Sequence, residues 1–71
     1  MNRFLVSTGT ITYAIKGRDV LRRNGIRASV ERTTSDRLGC GYGISVVGNI
    51  KKAERILRES GVKILEIKPY N

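Results

Sequence analysis

The chain carries one cysteine, Cys40, and no histidine. A lone sulfur nucleophile can hold a transferable sulfur or selenium atom as a persulfide or perselenide, or form a mixed disulfide with a partner. It cannot run a dithiol cycle within one chain. The same two counts exclude a Ser-His or Cys-His nucleophile pair, an intrachain disulfide and a self-contained His/Cys zinc site, so no metal or cofactor is expected. Cys40 is expected in a loop between the second and third strands that reads Thr33-Thr34-Ser35-Asp36-Arg37-Leu38-Gly39-Cys40-Gly41-Tyr42-Gly43. Gly39 and Gly41 leave nothing bulky beside the sulfur and can turn backbone N–H groups toward an anion, and Arg37 would steady that anion. The competing reading makes Cys40 a small buried hydrophobe and the glycines mere shapers of a hairpin.

The elements that must position this thiol follow from periodicity. Phe4-Leu5-Val6 reads as a strand, and Ser7-Thr8-Gly9-Thr10 supplies N-cap residues for a helix. That helix would bury Ile11, Ala14, Ile15 and Leu21, with Gly17 in the same stripe marking a close approach. Ile26, Ala28 and Val30 alternate with Arg27, Ser29 and Glu31 as a half-buried strand does. A third strand runs from Tyr42 to Val47, and Asn49 caps a second helix carrying Ile50, Ala53, Ile56 and Leu57 inward. Val62 to Lys68 closes as a strand whose apolar residues do not keep to one face, which calls for a bulge or a partly apolar outer face. The chain also repeats itself: Leu21-Arg22-Arg23-Asn24-Gly25-Ile26-Arg27 is echoed by Leu57-Arg58-Glu59-Ser60-Gly61-Val62-Lys63. Each copy reads as a last helical turn, a left-handed Gly and a β-branched residue opening a strand.

The order βαββαβ lets two βαβ halves share one four-stranded antiparallel sheet if their strands interleave, which is the α+β ferredoxin-like arrangement with both helices on one face. Its 71 residues leave room for a single such domain, residues 1–71. In this topology Thr8-Gly9-Thr10 and the stretch from Thr33 to Gly41 fall at the same sheet edge, so Thr8 and Thr10 join Arg37 as supports for an anion on Cys40. The residues Phe4-Leu5-Val6-Ser7-Thr8, Ala14-Ile15-Lys16, Leu21, Gly25-Ile26 and above all Gly39-Cys40-Gly41-Tyr42 resemble the small selenium/sulfur carrier-like family. The chain departs from its pattern at Thr33-Thr34-Ser35, where a Pro-Arg pair is expected. The resemblance implies that Cys40 is the carrier residue and that the partners are sulfur- or selenium-handling proteins, the chain itself being no enzyme.

Two other readings rest on different features. The 14 Lys and Arg exceed the 6 Asp and Glu, for a formal charge of +8, which favours polyanions, and RNA-recognition modules share the βαββαβ order. Cys40-Gly41-Tyr42-Gly43-Ile44 matches only the Gly-Tyr-Gly portion of their stacking motif, and the cations look dispersed over helix faces. That leaves attraction to acidic partner proteins, or non-specifically to nucleic acid, as the bland use of the charge. A third reading has an outer sheet face of Leu5, Val47, Leu65 and Ile67 pairing in a homodimer. The start of the chain has too short an apolar run for a signal peptide and no 18-residue apolar stretch follows, so no membrane partner and a cytoplasmic location are expected.

Overall fold

The structure is a computed structural model that describes residues 2–35 and 39–69. Strand β1 (Arg3–Ser7) leads into helix α1 (Ile11–Arg23), and β2 (Arg27–Ser35) returns to β3 (Gly39–Val47). Helix α2 (Ile50–Glu59) and strand β4 (Glu66–Pro69) complete the chain. The four strands form one antiparallel sheet in the order β2-β3-β1-β4. Each βαβ unit is therefore split by a strand of the other, as the expected interleaving requires.

Local sequence explains where the helices begin and end. Thr10 Oγ1 accepts the N–H of Tyr13 at 3.2 Å, and Asn49 Oδ1 accepts the N–H of Lys52 at 3.1 Å, so each helix starts on a side-chain cap. Both repeats close as the same C-terminal motif. Gly25 (φ +77°) and Gly61 (φ +80°) take the left-handed conformation, while the N–H groups of Ile26 and Val62 reach back to the carbonyls of Leu21 and Leu57.

The core lies between the helices and one sheet face, where Val6, Leu21, Ile44, Val46 and Leu57 are fully buried. Helix α1 buries a stripe of Ala14, Gly17 and Leu21, flanked by the half-buried Tyr13 and Val20. Ile11 and Ile15, expected in that stripe, are instead 45 and 39% exposed. The correction has a steric cause: Gly17 lies against Ile44 and Leu57 so closely that the helix rolls onto its small residues, carrying the two isoleucines round to its side.

The last strand is shorter than its apolar run. Val62 packs in the core and Ile64 against it, before the chain joins the sheet at Glu66, so no bulge is needed. Ile67 pairs with Val6 on the helix-covered face. Leu65 lies off the sheet, its N–H donating to the Ser7 carbonyl at 2.7 Å. Of the four residues expected on an apolar outer face, only Leu5 and Val47 are there, both half-buried among Arg3, Arg27, Glu31 and Lys68. No described helix is long and apolar enough to cross a membrane.

Candidate functional site

Cys40 is not in a loop. It belongs to β3, opposite Thr34 of β2. The β1 ladder stops at the Ser7–Gly43 pair, so from Tyr42 to Gly39 strand β3 is paired with β2 alone and the two strands extend as an arm beyond the two-layer body. Burial falls along that arm: Ile44 and Gly43 are buried, Tyr42 and Gly41 half-buried, and Cys40 and Gly39 exposed. The thiol is thus accessible because the sheet outruns its helices, and the buried-hydrophobe reading of Cys40 fails.

Alternation along β3 puts Cys40 on the same face as Tyr42, Ile44 and Val46, the face that the helices cover further along. Their partners on β2 are Thr34, Arg32, Val30 and Ala28. The Arg32 guanidinium carbon lies 5.7 Å from the centroid of the Tyr42 ring, a cation–π distance, and holds a cation diagonal to Cys40 across the pair of strands. Arg32 was not a sequence candidate. Counting alternate residues on from Val30 could have placed it beside Tyr42, but only once the β2–β3 register was known. Arg37, the cation expected at this site, lies outside the described residues.

The predicted neighbours do meet. The N–H groups of Thr8 and Gly9 both donate to the Tyr42 carbonyl, at 3.0 and 3.1 Å, which clamps the β1–α1 connection to the root of the arm. Thr8 and Thr10 nevertheless have structural work there. Thr8 is 2% exposed, and its hydroxyl lies 3.1 Å from the Thr10 carbonyl and 3.2 Å from that of Tyr42. Thr10 Oγ1 is the α1 cap. Neither side chain is directed to an anion on Cys40, which corrects the expected role. Thr10→Ala should lower stability by about 1 kcal/mol, as lost N-caps do, and leave the rate of Cys40 alkylation within about twofold. Stability comes from urea unfolding and the rate from iodoacetamide labelling; a larger rate change would return Thr10 to the thiol site.

The glycines around Cys40 divide by physical role. Gly39 has φ +73° and open space where a Cβ would stand, so it supplies backbone freedom where β3 begins. Gly43 is demanded by close approach, since a Cβ there would lie only 2.6 Å from the Val6 carbonyl oxygen, while one on Gly41 would be a tight 3.1 Å from that of Gly9. Access to the sulfur is a consequence of Gly39 and Gly41, while Gly43 seats β1.

The stacking platform of an RNA-recognition module is not formed. Tyr42 and Phe4 are on the helix-covered side, and the open face of β1 and β3 presents Arg3, Leu5 and Ser7 beside Gly43, Ser45 and Val47. Among the described residues no group of three His, Cys, Asp or Glu side chains could hold a metal. No protein-family model, curated protein or solved structure matches the chain.

Proposed function

We propose that the protein is a thiol carrier or adaptor that presents Cys40 to a partner. The observation that carries this reading is the exposure of Cys40 on a two-stranded arm with glycine on both sides. A partner's active-site cleft can take in such an arm without displacing other side chains, and a 71-residue chain has little room for a cleft of its own. The resemblance of Gly39-Cys40-Gly41-Tyr42 to the selenium/sulfur carrier-like family supports the same reading.

The chemistry balances without an added oxidant. The Cys40 thiolate attacks the outer sulfur of a donor's cysteine persulfide; a new S–S bond forms on Cys40, the donor's S–S bond breaks, and the donor leaves as a thiolate. Passing the outer sulfur to an acceptor thiolate repeats the exchange and restores Cys40. Selenium follows the same sequence from a perselenide. Arg32 is the described cation best placed to steady the anionic persulfide, and Tyr42 holds its guanidinium on that face.

The test is loading from a small-molecule persulfide donor, read by intact-protein mass. The folded protein should gain one sulfur atom per chain, lose it to an added thiol acceptor, and load at least about tenfold faster than a free peptide spanning Gly39 to Gly43. Cys40→Ser should abolish loading and leave the fold intact. A folded protein that loads no faster than the peptide overturns the reading, because the fold would then contribute nothing to the thiol.

A further inference from the structure

The cations that look dispersed in sequence are gathered by the fold at the end of the sheet away from Cys40. Arg3, Val47 and Arg27 are paired across β1, β3 and β2, and mark that end. Helix α1 finishes there with Arg22 and Arg23, β2 opens on Arg27, and α2 begins there with Lys51, Lys52 and, one turn on, Arg55. All six are exposed. Three ion pairs are made by other cations: Arg18 takes Asp19, Arg58 takes Glu54 and Lys68 takes Glu66. Neither helix offsets the cluster, since the last turn of α1 is basic and the first turn of α2 has no acidic residue. Arg3 and Glu31 also flank this end, each already engaged, and both line one of its depressions.

Two shallow depressions shape the surface. One, of about 430 Å³, includes Arg22, Arg27 and Ser29, and the other, of about 470 Å³, is lined by Asn49, Lys51, Lys52 and Arg55. Arg22 is held on the rim by donation from Nε to the Ala28 carbonyl at 3.0 Å. We infer that this basic end binds the phosphate backbone of a nucleic acid strand. Its composition selects that partner over an acidic protein. The exposed large apolar side chains are Ile11, Ile15 and Leu65, none at this end, so the apolar anchors that centre a protein interface are missing. Four of the six cations are arginines, whose planar fork matches phosphate oxygens. Phe4, next to Arg3, is half-buried on the helix-covered side, so among the described residues no exposed aromatic stands at this end and the contact is independent of base sequence.

The inference does not rest on the carrier reading. Cys40 and Val47 are seven residues apart on one strand, about 23 Å at the usual rise, beyond the roughly 8 Å screening length of physiological salt. The two ends can therefore be tested separately. A fluorescein-labelled oligouridylate of about 20 nucleotides should bind with a log–log salt slope of about −3 to −4, as four to six neutralised phosphates give. Arg23→Gln/Arg27→Gln/Lys52→Gln should weaken binding at least about tenfold and flatten the slope by about 2, with the circular dichroism spectrum retained. The control Lys16→Gln/Arg32→Gln/Lys63→Gln removes the same charge away from this end and should weaken binding by no more than about threefold. Equal losses in the two triples would reduce the effect to net charge and overturn the inference. So would polyglutamate competing as well as the oligonucleotide at equal charge, which would assign the surface to an acidic protein.

Discussion

Gly17→Val is expected to remove most or all of the folded population. A Cβ at this position would sit 2.4 Å from Ile44 Cδ1 and 2.8 Å from Leu57 Cδ2, and both neighbours are fully buried. Valine adds two further methyls and a β-branched χ1 restriction within a helix. Overpacking of this kind costs about 1–3 kcal/mol for a modest insertion and more for a branched one, against a total stability of roughly 4–10 kcal/mol for a chain of this length. Gly17→Ala isolates the cause. Helix propensity favours alanine by about 1 kcal/mol, so a net loss of about 1–2 kcal/mol corresponds to a steric conflict of about 2–3 kcal/mol. Ile44→Val deletes the methyl that stands closest and should cost about 1 kcal/mol by itself. In the double variant the two losses should fall short of additivity by about 1 kcal/mol or more, because the deleted methyl is the one the alanine displaces. Urea unfolding followed by far-UV circular dichroism measures all four corners of the cycle. Strict additivity, or a Gly17→Ala variant more stable than the parent, would show that α1 does not sit on the sheet at this distance.

Gly43→Ala is expected to lower stability by about 2–3 kcal/mol, a fall of roughly 10–20 °C in Tm for a domain of this size. Here the obstacle is backbone. The added Cβ would stand 2.6 Å from the Val6 carbonyl oxygen, 2.9 Å from Thr33 Cγ2 and 3.3 Å from Ser7 Cα, so β1 itself must shift along the pair it makes with β3. Thr33→Ser removes only the Cγ2 contact and should recover less than about 1 kcal/mol, unlike the repair available at Gly17. Thermal unfolding of the single and double variants decides it. Full recovery by Thr33→Ser would mean that side-chain crowding, rather than the approach of β1, fixes a glycine here. The result also bears on the motif that draws attention to Cys40. Of the three glycines in Gly39-Cys40-Gly41-Tyr42-Gly43, Gly43 belongs to the packing of the sheet, and only Gly39 and Gly41 flank the thiol.

Much of the fold was legible because it is written locally. Thr10 and Asn49 cap the helices from their own N-terminal neighbours, and Gly25 and Gly61 end them through hydrogen bonds that span six residues. The alternation of Ala28 and Val30 with the polar Arg27, Ser29 and Glu31 needs no knowledge of the partner strand. The failures are of another kind. Ile11 and Ile15 look like core by helical spacing, yet which arc of a helix faces the sheet depends on how closely Gly17 lets it approach Ile44. The run from Val62 to Ile67 looks like one strand, yet Val62 is taken by the core before the chain reaches the sheet. Thr8 and Thr10 were rightly placed near the arm, but their hydroxyls go to the Tyr42 carbonyl, the Thr10 carbonyl and the α1 cap.

By itself the sequence determined the order βαββαβ, the single thiol set among glycines and the excess of 8 positive charges. Tertiary structure alone decided where those features face. The β2–β3 register puts Cys40, Tyr42 and Arg32 on one side of a projecting arm, and the stopping of β1 at Ser7 leaves that arm uncovered. Chain reversal at both helices carries Arg22, Arg23, Lys51 and Lys52 to the opposite end, although the pairs are 28 residues apart in sequence. Periodicity and capping are read over a few neighbouring residues, whereas register, helix roll and the meeting of distant termini depend on packing between elements that have no proximity along the chain.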